Sequence, residues 1–219
     1  MSEPDVTLTN LVIVIECLAF GWACLQATRT PLRDSFAAFF AMSALASASA
    51  AVVHGFAPDH SDTGNAFFWT MTMLAVVVAS AALVFAAGEL RATSATERSR
   101  RLRFIALVTA CIAGAVLIGS RNFTLAVAVY VPASLWLAFE MYRRWRARGS
   151  ARLLVGAAGL ALAVVAGLLQ QLRYTPVPDL LDHNASYHVL QIVALAAFFA
   201  GCRATLADGY GGSQRARSS

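Results

Sequence analysis

Three ionisable residues stand inside stretches that are otherwise apolar: Glu16, His54 and His188, with Asp182 and His183 just ahead of the last of them. In an apolar helix such a side chain is costly unless it is paired or faces water, so each is by default a candidate functional residue. Imidazoles gathered with a carboxylate suit zinc, which takes three protein ligands in catalytic sites and leaves a fourth position for water. The metal brings that water's acidity near neutrality, and a carboxylate can carry its proton. On this reading His54, His183 and His188 are the metal ligands and Glu16 or Asp182 is the catalytic base or the ligands' orienting partner. Asn184 and Gln191 share a helical stripe with His188 and support it. His183 and His188 are five residues apart, which on a regular helix turns them about 140° from each other. His183 must therefore precede the helix, capped by Asp182 or Asn184, or a π-bulge must intervene. His60, in a loop with Asp59 and Asp62, is a substitute ligand or simply a solvated residue. The same cluster also suits a structural hydrogen-bond network, a proton-responsive sensor, since imidazoles titrate near neutrality, or a haem held by His54 and His188 as axial ligands. A retinal protein is excluded, because the chain has no Lys to form the Schiff base.

The elements that must position these residues are read from hydropathy. Of 219 residues, 58% are hydrophobic and 13% charged, against about 25% charged in a soluble domain, and the mean hydropathy is +0.63. Crossing a bilayer takes about 20 mostly apolar residues. Seven such runs occur, approximately Leu8 to Gln26, Ser35 to Phe56, Ala66 to Ala87, Phe104 to Gly119, Phe123 to Met141, Leu153 to Leu172 and Asn184 to Cys202, the fourth being the shortest. The runs are continuous rather than alternating, which predicts helices and not a transmembrane barrel. The first is not a signal peptide, because Glu3 and Asp5 occupy the place of a basic segment and Glu16 interrupts the apolar stretch. The expectation is an all-α bundle of seven transmembrane helices forming one domain over residues 1–207, with a Gly-, Ser- and Arg-rich disordered tail over 208–219.

Charge supplies the orientation. Fifteen of the 17 arginines fall after runs one, three, five and seven, and only Arg121 and Arg173 fall in the other set of loops. Positive residues favour the cytoplasmic side, so the N-terminus is expected outside and the C-terminus inside. The net charge of +5 then reflects topology and contact with anionic headgroups, not a nucleic-acid surface. In that frame Glu16 lies eight residues, roughly 12 Å, below the outer end of helix one. His54 and His188 lie near the outer ends of helices two and seven, so all three share the outer leaflet. Ser43, Ser47, Ala50 and His54 form a small or polar stripe on helix two, and Asn184, His188 and Gln191 form one on helix seven. A polar cavity lined by helices one, two and seven and open to the outside is expected. The four cysteines sit in or at the ends of apolar runs without CxxC spacing and read as small buried residues. Gly156, Gly159 and Gly167 permit close helix approach. The all-Arg, Ala-rich composition fits a bacterial chain, which places it in the cytoplasmic membrane.

These residues resemble the CREST superfamily of seven-helix membrane hydrolases, which includes alkaline ceramidases and the adiponectin and progestin receptors. That family carries a Ser and then a His on helix two, an Asp on helix three and an HxxxH pair on helix seven, with three His binding zinc for amide hydrolysis in lipid. Ser49 and His54 of SAAVVHG, Glu16, and His183 and His188 of DHNASYHVLQ are similar to that pattern. Helix three departs from it, offering Asn65, Trp69, Thr70 and Thr72 in place of the Asp, and the helix-seven pair is HNASYH. This segment is closer to a group of bacterial seven-helix proteins with an HNxxYH motif, which implies no known reaction. The resemblance implies a zinc-dependent hydrolase of lipid amide or ester bonds, with Ser49 supporting the ligands. The alternatives from other classes are a non-enzymatic sensor or receptor for an external ligand, metal or pH, and a haem-binding redox protein.

Overall fold

A computed structural model describes residues 2–57, 59, 61–91, 94–118, 123–175 and 182–215. Seven helices follow one another: α1 (Pro4–Leu25), α2 (Pro31–Phe56), α3 (Thr63–Arg91), α4 (Ala95–Leu117), α5 (Phe123–Arg148), α6 (Ala151–Gln171) and α7 (His183–Arg215). Their starts are set by local chemistry. Thr30 caps α2 by accepting the amide of Arg33, with Pro31 in the first turn. Ser94 caps α4 through Glu97, and Asp182 caps α7 by accepting the amide of Ala185 at 2.6 Å. These oxygens satisfy amides that have no partner in a helix's first turn. Hydroxyls within the helices do the same for themselves: Thr72, Ser80 and Thr205 donate to carbonyls four residues back, so an apolar surrounding leaves none of them bare.

Six of the helices are long and apolar enough to cross a membrane, the architecture of a multi-pass membrane protein. The exception is α4. Its first turns carry Glu97, Arg98, Arg100, Arg101 and Arg103, and the apolar part from Phe104 to Leu117 extends roughly 21 Å at 1.5 Å per residue, against about 30 Å of hydrocarbon. α7 continues to Arg215, past the point where the sequence reads as a disordered tail, because a helix once nucleated propagates at little cost.

The packing order explains the site. α1 packs on α2, α2 on α3, α3 on α5, α5 on α6, α6 on α7 and α7 back on α1, a closed ring of six, with α4 lying outside it against α3. Glycine sets the closest approach: a Cβ on Gly156 would stand 2.5 Å from the Gly201 Cα, and one on Gly159 would stand 2.6 Å from the Ala194 carbonyl. The backbones of α6 and α7 therefore touch, as small residues allow in lipid. Gly167 is different, since a Cβ there meets nothing within 4 Å. The half of the ring nearest the arginine-rich loops is filled by Phe36, Phe39, Phe40 and Phe198, all buried, with Phe39 edge-on to Phe198 at 5.3 Å. Phe20 stacks on Phe199 beside them, its ring centroid 4.2 Å away. The other half is not filled.

Candidate functional site

The unfilled half holds a cavity of about 130 Å³ whose wall is shared by all six ring helices. Asn10 and Ile13 come from α1, Ser43, Ser47, Ala50 and His54 from α2, Trp69 and Thr72 from α3, Phe123 and Tyr130 from α5, Gly167 and Gln170 from α6, and Tyr187, His188 and Gln191 from α7. The stripe read on helix two does face it. Leu195, two turns along α7 from His188, ends the wall, and Phe198 begins the aromatic filling below. Among the described residues no Asp, Glu, Lys or Arg lines the cavity. Its polarity is that of imidazole, amide, phenol and hydroxyl groups.

The two imidazoles on the wall are held by different partners. His188 is 7% exposed, and its Nδ1 lies 3.1 Å from the Thr9 hydroxyl and 3.4 Å from the Asn10 amide. The Thr9 hydroxyl reaches the carbonyls of Asp5 at 2.8 Å and Val6 at 3.1 Å with its one hydrogen. The Asn10 Nδ2 carries only hydrogens and the Thr9 hydroxyl can donate or accept, so which of the two holds Nδ1 follows the tautomer of the ring, with Nε2 in the complementary role. His54 is more open. Its Nδ1 lies 2.8 Å from the Glu3 carboxylate, and the backbone ties the same place down: Ser2 and Glu3 donate their amides to the carbonyls of Gly55 and His54, each at 3.3 Å. A Cβ on Gly55 would stand 3.0 Å from the Thr7 Oγ1, so the glycine is what lets α1 and α2 close at this end.

Amides on the wall are incompletely paired. Gln170 donates to Asn184 at 3.2 Å and Gln191 to the Tyr130 hydroxyl at 3.5 Å, yet the Oε1 of each is buried without a hydrogen-bond partner among the described residues. Buried polar atoms in that state are uncommon and call for an explanation.

Of the residues singled out from sequence, His54, His188 and Gln191 meet on the cavity wall, and Asn184 touches it through Gln170. Four others lie elsewhere. Glu16 is on the side of α1 that faces α7, between the contact of Thr9 with His188 and the stacking of Phe20 on Phe199, about 60° round the helix from Ile13 and about 120° from Asn10, the residues that α1 gives to the cavity. Its Oε2 is buried without a partner among the described residues. Asp182 is exposed and serves as the cap of α7. His183 begins that helix and, as the five-residue spacing requires, points away from His188. Ser49 is buried off the wall. His60 lies outside the described residues. Sequence reading missed Thr9, Asn10, Tyr130, Tyr187 and Gln170. The signal for them was a lone hydrogen-bonding group in an apolar run, which must find a partner inside the bundle. Glu3, the partner of His54, was read only as a charge near the N-terminus.

Among the described residues the donor set does not fit a three-ligand zinc site. Two imidazoles share the cavity, neither Glu16 nor Asp182 lines it, and among the described residues no group of three or more His, Cys, Asp and Glu is close enough to hold a metal.

No curated protein and no solved structure matches the chain. Residues 6–207, which carry the whole six-helix ring, match DUF6962, a family of unknown function, and the chain belongs to that family.

Proposed function

We propose that the chain is a small-molecule-binding membrane protein of the sensor or receptor class. Its cavity takes a ligand from the outer side of the cytoplasmic membrane. The observation that carries this reading is the cavity itself: walled by six helices, it is lined with hydrogen-bonding groups and, among the described residues, with no Asp, Glu, Lys or Arg, and it has buried amide atoms that lack partners among those residues. Ligand pockets in helical bundles have this character, an apolar wall with a few convergent polar groups. Occupancy would act on α7, a single helix running from His188 at the cavity to Arg215 beyond the arginine-rich end. Seven spans with the N-terminus outside are part of the proposal. Arginine alternation supports them, and so does the course of α4, whose first turns meet the end of α3 through Arg98 and Glu89 and which then runs back along α3.

A metal-dependent hydrolase of lipid amides or esters is the second reading, and one contact favours it. The Glu3 carboxylate on His54 Nδ1 is the kind of partner that orients a metal-binding imidazole. That reading still needs a third ligand and a carboxylate at the cavity.

The two are separated by analysing the protein purified without chelators, beside Gly167→Leu, His54→Ala and His188→Ala. The binding reading predicts an organic molecule extractable from the wild type and absent from Gly167→Leu, with zinc well below one per chain. About one zinc per chain, lost in both histidine variants, would replace it with the hydrolase reading.

A further inference from the structure

The wall also specifies what kind of molecule it takes, an argument that rests on the binding reading above. Charge decides first. Among the described residues no Asp, Glu, Lys or Arg lines the wall, and the His54 imidazole is already paired with the Glu3 carboxylate, so an ionised ligand would be buried without a counter-charge of its own, a costly arrangement. The ligand is therefore neutral. Shape decides next: Trp69, Phe123, Tyr130 and Tyr187 bring aromatic surface to the cavity, and about 130 Å³ is close to the roughly 150 Å³ that accommodates a benzene ring in an apolar engineered cavity. Unlike that cavity, this one has unfinished polar business. Gln170 and Gln191 each leave one amide end buried and unpaired among the described residues. A hydroxyl suits an amide from either end, because it both donates and accepts.

We propose that the cavity binds a small neutral ring-bearing molecule with hydroxyl groups, its ring against the aromatic side chains and its hydroxyls on Gln170 and Gln191. Water filling the same space is the competing occupant. It would satisfy the amides equally but leave no preference among organic probes.

The test titrates the wild type and Gly167→Leu, both in lipid nanodiscs, with resorcinol, phenol, toluene, benzoate and benzylamine, reading thermal stability and ligand-detected NMR. Gly167→Leu fills the cavity where a Cβ meets open space, so the difference between the two proteins cancels partitioning into lipid. Resorcinol is expected to bind the wild type at least about tenfold more tightly than toluene, a difference of about 1.4 kcal/mol, with phenol between. Benzoate and benzylamine are expected to show no difference between the two proteins. Gln191→Leu should remove the preference for resorcinol over toluene while toluene binding persists. Preference for benzoate or benzylamine would overturn this proposal and leave the binding reading standing. Equal response of both proteins to all five probes would also overturn it. An organic molecule extracted from the wild type would then still support the binding reading, and its absence would remove both.

Discussion

The two ends of the bundle treat polar groups in opposite ways. At the arginine-rich end every acid named here is held by a base. Glu140, 2% exposed, takes Arg91 at 3.4 Å and Arg143 at 2.9 Å, with the Trp136 indole donating at 3.4 Å. Glu89 takes Arg98 at 2.6 Å, and Glu97 is ion-paired to Arg101, whose guanidinium also reaches the Gly88 carbonyl. These contacts join α3, α4 and α5 just where the phenylalanine cluster closes the ring. At the other end there is a cavity whose wall, among the described residues, carries no Asp, Glu, Lys or Arg, and amide atoms there find no partner among them. Satisfied polar networks fix helices in place, whereas unsatisfied ones mark where something else binds. The comparison assigns stability to one end and recognition to the other.

Variants that break this division should do so in a graded order. The largest effect belongs to the double variant Arg91→Ala with Arg143→Ala, which strands the Glu140 carboxylate. A loss of about 3 kcal/mol is expected, the lower part of the range for breaking a buried pair because both guanidinia are half exposed. Thermal unfolding in nanodiscs reads it, and adding Glu140→Gln should recover most of the loss by removing the buried charge. Next comes Gly156→Leu, which drives a side chain into the Gly201 backbone and should cost about 2 kcal/mol as over-packing. Gly167→Leu is its contrast, keeping or raising the melting temperature since leucine favours a helix more than glycine. His188→Ala should cost about 1–2 kcal/mol and weaken binding, because Thr9 and Asn10 keep their own carbonyl partners when the imidazole goes. The smallest effect is Glu3→Gln, below about 1 kcal/mol for a contact this exposed.

Much of the fold was legible because lipid imposes a simple rule: an apolar run of sufficient length becomes a helix. Observed helices are longer than the runs, as with Thr63–Arg91 for Ala66 to Ala87, since helices continue past the hydrocarbon edge. Depth was legible too, and it brought His54 and His188 to one level. Azimuth was harder. Glu16 has the right depth and the wrong face, and no periodic pattern in an apolar helix flags which side meets a cavity. The faces that α3, α5 and α6 give to the wall, such as Trp69, Thr72, Val76 and Ala79 on α3, are helical stripes made mostly of apolar residues, which composition does not tell from a face that meets lipid or a neighbouring helix. The ring closure that leaves α4 outside follows from contacts between helices distant in sequence, which hydropathy does not encode. Glu140 passed as part of a span because its cations lie on α3 and one turn further along α5.

The central claim is a cavity that opens on the arginine-poor side, and it is tested most directly by thiol accessibility. Ser47 lines the cavity and Ser49, two residues on, is buried off the wall. Each is replaced by Cys in a Cys111→Ser background, Cys111 being the exposed native thiol. A small charged methanethiosulfonate is then added to one side of sealed vesicles at a time. The account predicts that Ser47→Cys reacts only from the arginine-poor side, that resorcinol slows the reaction, and that Ser49→Cys stays unreactive. Reaction of Ser47→Cys from the arginine-rich side, or equal rates at both positions, would contradict it.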